Sequence, residues 1–345
     1  MTFEIETFDP KNASALIYEG QNRIRNRIRL EILPDDPPIP LDETINGLQN
    51  IPDFVTSFPM VVWNADKTEM VGIAFVALPN HENLHLAQFS INVLPEFRQK
   101  GIGKTILSKI ADIAKAENRT TLLTASVAKV PAGGLFLEKM GATRGLEAHT
   151  NQLVLAELNA ATISETLKTA QTKADKFETG LLVGAYPDEM MPGIVALYEL
   201  VNQQPMGNLD VEDFHFSAEH IRQMEKSMFM RGNERWSIYA REKESGDFAG
   251  FTEIIWNPSR PEIINQEFTG VDPRFRGNGL GKLIKVEMLD KILKEKPEAK
   301  FVRTGNADVN APMLKINKDL GFKPYHSECV WQVTAENVFD YLSAS

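Results

Sequence analysis

Val93 Leu94 Pro95 Glu96 Phe97 Arg98 Gln99 Lys100 Gly101 Ile102 Gly103 Lys104 Thr105 Ile106 Leu107 recurs 178 residues further on as Val271 Asp272 Pro273 Arg274 Phe275 Arg276 Gly277 Asn278 Gly279 Leu280 Gly281 Lys282 Leu283 Ile284 Lys285. Valine, proline, phenylalanine, arginine, both glycines of the Gly-x-Gly and lysine match with no gap. The same offset sets residues 3–8 beside 181–186, two short apolar runs that each lead into a helical pattern. One long motif recurring in one context marks a tandem duplication, with one fold in each half.

Outward from each copy the two halves keep the same order of elements. Strand-like runs at 60–63, 70–78 and 84–93 precede the first copy, and runs at 236–241, 248–256 and 263–271 precede the second. Turn residues fill the gaps, as at 64–67, 79–83 and 257–261. After each motif an apolar stripe has helical spacing: Ile102, Ile106, Ile110 and Ile113 in one half, Leu280, Leu283, Ile284, Met288 and Ile292 in the other. A further strand follows, at 121–125 or 301–304, then a short helix ending at Gly141 or Gly321. Antiparallel strands first and strands interleaved with helices later define an α+β class, each half a mixed, mostly antiparallel sheet flanked by helices. The stretch 160–177 lacks glycine and proline and is rich in Ala, Thr, Lys and Glu, which suits a helical connector. The expected division is 1–158, a connector at 159–178, and 179–345.

The 345 residues agree with two domains at about 150 residues each. A net charge of −10 argues against a general nucleic-acid or anionic-membrane binder. The single cysteine, Cys329, cannot form an intramolecular disulfide, and no run of about 18 apolar residues occurs. A cytoplasmic protein without nucleic-acid or membrane partners is expected. His81 Glu82 Asn83 Leu84 His85 fits a zinc-protease spelling. That pattern needs both histidines on one helical face, whereas this stretch follows Pro79 Asn80 and runs into a strand, so no metal is expected. Cys329 lies two residues before Trp331 in an apolar strand, which suits a buried, inert thiol.

A strand ending at valine, then proline, arginine and a Gly-x-Gly that opens a helix, leaves free backbone N–H groups where a phosphate can sit. Glycine removes the Cβ that would hold the anion away, and the helix dipole adds roughly +0.5 charge. A Walker loop would need glycine at position 98, which holds Arg98, and a dinucleotide fingerprint would need glycine at position 284, which holds Ile284. The motif resembles the Val-x-Pro-x-x-Arg-x-x-Gly-x-Gly signature of the GNAT superfamily of N-acetyltransferases, and the whole chain resembles a tandem GNAT protein, an architecture also seen in mycothiol synthases. The resemblance implies acetyl-coenzyme A as acyl donor, with its pyrophosphate on Arg276, Gly277, Asn278, Gly279, Leu280, Gly281 and Lys282 and its thioester carbonyl at the backbone of Val271. Asn310, Met313, Asn317, Leu320, Gly321 and Phe322 resemble the family's final helix, which adds Asn310 to the cofactor-binding set. In the first half the corresponding residues are Val93, Arg98, Gln99, Lys100, Gly101, Gly103 and Lys104.

Acetyl transfer to an amine asks more of a base than of an acid. An alkyl ammonium of pKa ~10.4 must lose its proton near pH 7, about 4.6 kcal/mol, whereas a thiolate of pKa ~8.5 faces only about 2 kcal/mol. Family members place a tyrosine as acid four residues before the Gly-Phe glycine; Asn317 stands there instead, able to donate a hydrogen bond but no proton. For the base, strand alternation sets Glu267 on one face with Thr269 and Val271, near the expected thioester. Glu253 is the second candidate, and the acidic group Asp210, Glu212 and Asp213 can attract a cationic acceptor. In the first half Phe89 takes the place of Glu267, Val130 that of Asn310 and Leu137 that of Asn317, so that half is expected to be degenerate. The expected function is acetyl transfer to a primary amine of a small molecule in the second half. Its rivals are an acyl-coenzyme A sensor or scaffold without catalysis, and a peptide or protein N-acetyltransferase.

Overall fold

The computed structural model describes residues 3–344 and divides into two compact units. The first comprises Met1–Glu147, Met206–Glu212 and His326–Ser345, the second Ala148–Pro205 and Asp213–Tyr325.

In the first unit β1 (Glu4–Thr7), β2 (Val55–Trp63), β3 (Met70–Pro79) and β4 (Leu86–Val93) form an antiparallel meander. Between β1 and β2 the chain forms α1 (Ala15–Ile32) and α2 (Leu41–Gln49). β4 leads through the glycine motif into α3 (Ile102–Ala116), and β5 (Thr121–Val127) returns parallel to β4. That parallel pairing lasts only from Leu86–Gln88 against Thr121–Leu123, after which the strands separate. α4 (Pro131–Lys139) and β6 (Thr143–Val154) complete the first repeat together with α5 (Ala160–Lys173). The isoleucine stripe forms as expected: Ile102, Ile106 and Ile110 are buried with Met60, Val62 and Val76 under α3. α1 covers the opposite face with Ile17 and Ile24 against Val61, Trp63 and Ile73.

The second repeat has the same elements: β7 (Phe177–Val183), α6 (Met191–Tyr198), α7 (Ala218–Met230), β8 (Glu234–Glu242), β9 (Phe248–Trp256), β10 (Ile263–Val271), α8 (Leu280–Glu295), β11 (Phe301–Ala307), α9 (Ala311–Asp319), β12 (Lys323–Thr334) and α10 (Ala335–Ser343). β7 to β10 are antiparallel, and β10 pairs with β11 in parallel over Ile263–Asn265 and Phe301–Arg303.

The sheet of each unit is closed by a strand from the other repeat. β5 takes Glu328–Thr334 of β12 as its antiparallel neighbour, and β11 takes Ala148–Val154 of β6. The helices follow their strands: α10 packs on α3, and α5 packs on α8, burying Ile163 and Ala170. The expected cuts at 158 and 178 follow the repeat in the sequence, whereas the compact units part after Glu147 and Tyr325. The physical reason is that Ala148–Val154 and Glu328–Thr334 each satisfy backbone hydrogen bonds of the sheet they complete, so each belongs with that sheet whichever repeat encodes it. The stretch 160–177 is accordingly no spacer; α5 is part of the second unit's core.

The cores differ at one helical position. Leu107 of α3 is fully buried, and its counterpart in the repeat is Lys285 of α8, 1% exposed. Its amine has the Met313 sulfur at 3.9 Å as hydrogen-bond partner and the Phe322 ring at 5.5 Å, with no carboxylate. Burial lowers its pKa to about 7. A base whose folded pKa lies below its unfolded value binds fewer protons folded than unfolded, so its penalty is full below about pH 7 and fades as pH rises toward 10.5. We predict that Lys285→Leu raises the thermal midpoint at pH 7 by roughly 5 °C, about 2 kcal/mol, and that the gain shrinks by pH 10. Calorimetric melts at the two pH values decide this; an equal or larger gain at pH 10 would refute it.

Candidate active site

In the second unit the strand end and loop form an open cradle. Arg274 N donates to Asp272 Oδ1 at 2.8 Å, which starts the turn after Val271. Gly277 and Gly279 are left-handed, with φ +84° and +80°, and a Cβ on Gly277 would meet no atom within 4 Å. Gly281 faces inward: a Cβ there would lie 3.2 Å from Ile316 Cδ1 on α9. Arg276 Nε donates to Val271 O at 3.2 Å, and the rest of its guanidinium forms no ion pair among the described residues. Lys173, the last residue of α5, lays its stem across the cradle, with Cδ 3.2 Å from where a Cβ on Gly279 would stand. Sequence reasoning missed this cation because it lies over a hundred residues from the motif and arrives through the packing of α5 on α8.

The first unit's loop has the same backbone course but its cations are occupied. Arg98 Nε donates to Val93 O at 3.0 Å, and both terminal nitrogens donate to Glu31 of α1 at 2.8 and 2.7 Å. Lys100 donates to Glu96 O at 2.8 Å, and Lys104 lies over the Tyr341 ring at 5.4 Å. Gln99, at φ +60°, brings a side chain to the place that Gly277 leaves open.

β10 carries one residue more than β4, and this changes the expected faces. β4 pairs with β3 in unbroken register from Gln88 to Val93, whereas the register of β10 on β9 shifts between Gln266 and Thr269. Such a bulge sets two residues against one on the partner strand and resets the alternation. Gln266 Nε2 donates to Thr252 Oγ1 at 3.1 Å, and Thr252 and Thr269 share a hydrogen bond of 2.7 Å. Gln266, Thr269 and Val271 therefore point to the α8 face, and Glu267 with Phe268 to the face covered by α6 and α7, where Phe268 packs beside Phe251 and Tyr198. Glu267 is thus on the face opposite Thr269 and Val271, contrary to simple alternation. Because the strands start 177 residues apart and end 178 apart, the counterpart of Phe89 is Gln266 rather than Glu267.

Glu267 is open to solvent yet sits among enough protein atoms that partial desolvation, then repulsion from Glu253, raises its carboxyl above the usual range. Glu253 is 5% exposed and fully engaged. It accepts from Tyr186, from Tyr198 at 3.1 Å and from Ser237 at 3.2 Å, with Arg235 Nε at 3.7 Å. Burial is the main force raising its pKa, opposed by Arg235 and the hydroxyl donors. Of the two carboxylates, only Glu267 is free to meet an incoming proton.

Asn317 is buried, and its Nδ2 donates to Asn306 Oδ1 at 2.6 Å while its own Oδ1 has no partner. Asn310 caps α9 by accepting from Met313 N at 3.4 Å. The acidic group is divided between the units, with Asp213 in the second. Asp210 and Glu212 lie in the first unit, where Glu212 exchanges hydrogen bonds with Asn83 at 2.6 and 2.7 Å and His85 lies 3.5 Å from Asp210. Cys329 is buried, and burial pushes its thiol pKa up. No helix among the described residues is long and apolar enough to cross a membrane.

Residues 26–142 match the model of the acetyltransferase (GNAT) family. No curated protein matches the chain. Among solved structures, a tandem GNAT protein from the clavulanic acid biosynthesis pathway is 23% identical with a TM-score of 0.78, over 97% of this chain and 99% of that one. A GCN5-related N-acetyltransferase from Sphaerobacter thermophilus is 13% identical with a TM-score of 0.67, over 96% of each chain. At these identities the likeness establishes the fold. The family match lies in the first repeat, and the likeness over nearly the whole chain shows that both repeats have the fold of a tandem GNAT protein.

Proposed function

We propose that the second unit transfers an acetyl group from acetyl-coenzyme A to a primary amine of a small molecule, by direct attack in a ternary complex. The observation that carries this reading is the difference between the units at matched positions. Only the second combines an open left-handed glycine at Gly277, an unpaired arginine at Arg276 and a bulge that turns a solvent-accessible carboxylate, Glu267, toward the α6 face.

These residues fit a coenzyme A thioester, which supplies an activated acyl group when bound. The backbone N–H groups from Gly277 to Gly281, with Arg276, Lys282 and Lys173, would hold its phosphates, and Val271 would offer backbone to the thioester carbonyl. Glu267, directly or through a water, takes the proton that the acceptor ammonium must lose. Its raised pKa narrows the gap to an ammonium of pKa ~10.4 and so makes it a stronger base than an ordinary glutamate. Glu253, locked by two tyrosines, a serine and an arginine, acts on Glu267 by its charge alone. Asn317 gives no proton, so the departing thiolate would take up the second proton that the amine releases on forming the amide, the less demanding of the two proton steps.

The commitment of Asn317 to Asn306 also favours a second reading, an acyl-coenzyme A sensor without turnover. Release of free thiol in the presence of an amine panel separates the two. With such an amine, we predict that Glu267→Gln lowers kcat about 10²- to 10³-fold with little change in acetyl-coenzyme A affinity. The wild-type rate should rise with pH through a pKa above the usual carboxylate range, because only the ionised carboxylate accepts a proton. Persistence of that limb in Glu267→Gln would remove Glu267 as base.

For the donor, we predict that Gly281→Glu abolishes acetyl-coenzyme A binding by calorimetry, that Gly103→Glu does not, and that Lys173→Glu weakens it about tenfold, more at low salt than at high. Lys168→Glu, the same charge change five residues earlier on α5, serves as the control. Binding that survives Gly281→Glu and is lost in Gly103→Glu would transfer the donor site to the first unit.

A further inference from the structure

Three buried polar side chains of the second unit have no counterpart in the first. Gln266, 3% exposed, leaves Oε1 without a partner, and Asn317, 2% exposed, leaves Oδ1 without one. Lys285, 1% exposed, has only the Met313 sulfur for its three N–H groups. In the first unit the same positions hold Phe89, Leu137 and Leu107, all buried. The fold therefore does not require polar groups there, and an apolar set fills the space. Buried polar atoms left unmatched cost stability, so such a set points to a partner that satisfies it.

Gln266 and Asn317 flank the point where β10 and β11 part, and Lys285 reaches Met313 on the same helix as Asn317. β10 and β11 stop pairing after Asn265 and Arg303. Gln266 is the next residue of β10 and points to the α8 face, and Asn317 of α9 bonds to Asn306, on the stretch of β11 that pairs with β6 but no longer with β10. Lys285 extends from α8 toward α9, and a helical side chain leans toward its helix's N-terminus, which brings the amine to Met313 in the first turn of α9. Two acceptors and one donor are unmatched. A chain carrying secondary amides complements them, since each amide offers one N–H and one carbonyl oxygen.

We propose that Lys285 is a ligand of the acyl donor, donating to an amide carbonyl of its pantetheine arm, with Gln266 and Asn317 accepting the arm's amide N–H groups. This rests on the reading of the second unit as the acyl-coenzyme A site and assigns residues outside the glycine motif to it. It also explains the buried amine: the second unit gives up the stability that Leu107 provides in the first in return for a bound arm.

The test measures binding by calorimetry for wild type, Lys285→Leu and the volume-matched Lys285→Met, using coenzyme A, pantetheine and adenosine 3′,5′-bisphosphate. Lys285→Leu and Lys285→Met should weaken coenzyme A and pantetheine about tenfold, leave the bisphosphate unchanged, and melt at or above the wild-type temperature without ligand. The inference is overturned if coenzyme A binds all three proteins equally, which would mean that the polar set holds only water. It is also overturned if bisphosphate affinity falls in parallel, which would mean a general distortion. Failure of the wild type to bind coenzyme A at all would instead overturn the acyl-donor reading, and this inference with it.

Discussion

The parallel pairing of β10 with β11 ends after three residue pairs, and the site depends on how the freed ends are used. Backbone N–H and C=O groups that lose a sheet partner need another one. In both units the strands diverge at the same point, so divergence alone does not distinguish them. What distinguishes them is one inserted residue. The bulge in β10 places Glu267 and Phe268 together on the α6 face and returns Thr269 and Val271 to the α8 face. Without it, β4 alternates regularly and Phe89 fills the core under α3.

Charge follows the same division. The chain is acidic, so a cation not paired with a carboxylate is a specific feature. Glu31 of α1 accepts both terminal nitrogens of Arg98, and a bidentate pair of this kind leaves little charge for an incoming anion. In the second unit Arg274 absorbs the local carboxylates, Asp272 and Asp247, at 2.9 Å each. Arg276, two residues on, stays unpaired. The first loop keeps Gly101 because the turn into α3 needs a left-handed residue there, φ +85°, whether or not a phosphate is bound.

Much of this was legible in the sequence because the signals were local. A glycine that must be left-handed, a proline that starts a turn and an apolar stripe at helical spacing act over a few residues, and the tandem GNAT resemblance rested on them. The features that were not legible depend on pairing partners. A bulge is an offset between two strands, and one extra residue in β10 left no mark beyond a one-residue change in repeat spacing at Ile263. The exchange of β6 and β12 leaves no local trace, since repeats with equivalent closing strands have the same pattern whichever sheet each strand joins. Lys173 reaches the cradle only through the packing of α5. Lys285 interrupts the stripe Leu280, Leu283, Ile284, Met288, Ile292 as an exposed lysine would, and sequence spacing does not reveal that α9 covers it.

The two carboxylates on the α6 face show how a buried network can prepare an accessible group. Glu253 is held by Tyr186, Tyr198, Ser237 and Arg235, and Arg235 is also tied to Glu225, which Arg222 pairs at 2.5 Å. A carboxylate so enclosed keeps its place without moving a proton, because each oxygen already has its donors. Its charge then bears on Glu267, which has no cationic partner to offset it. The same geometry in a regular strand would send the side chain after Gln266 to one face and the next to the other, separating Glu267 from Phe268. The bulge keeps a carboxylate beside an aromatic wall, and in the proposed reaction that pairing of a raised proton acceptor with an apolar surface would let an acceptor amine approach uncharged.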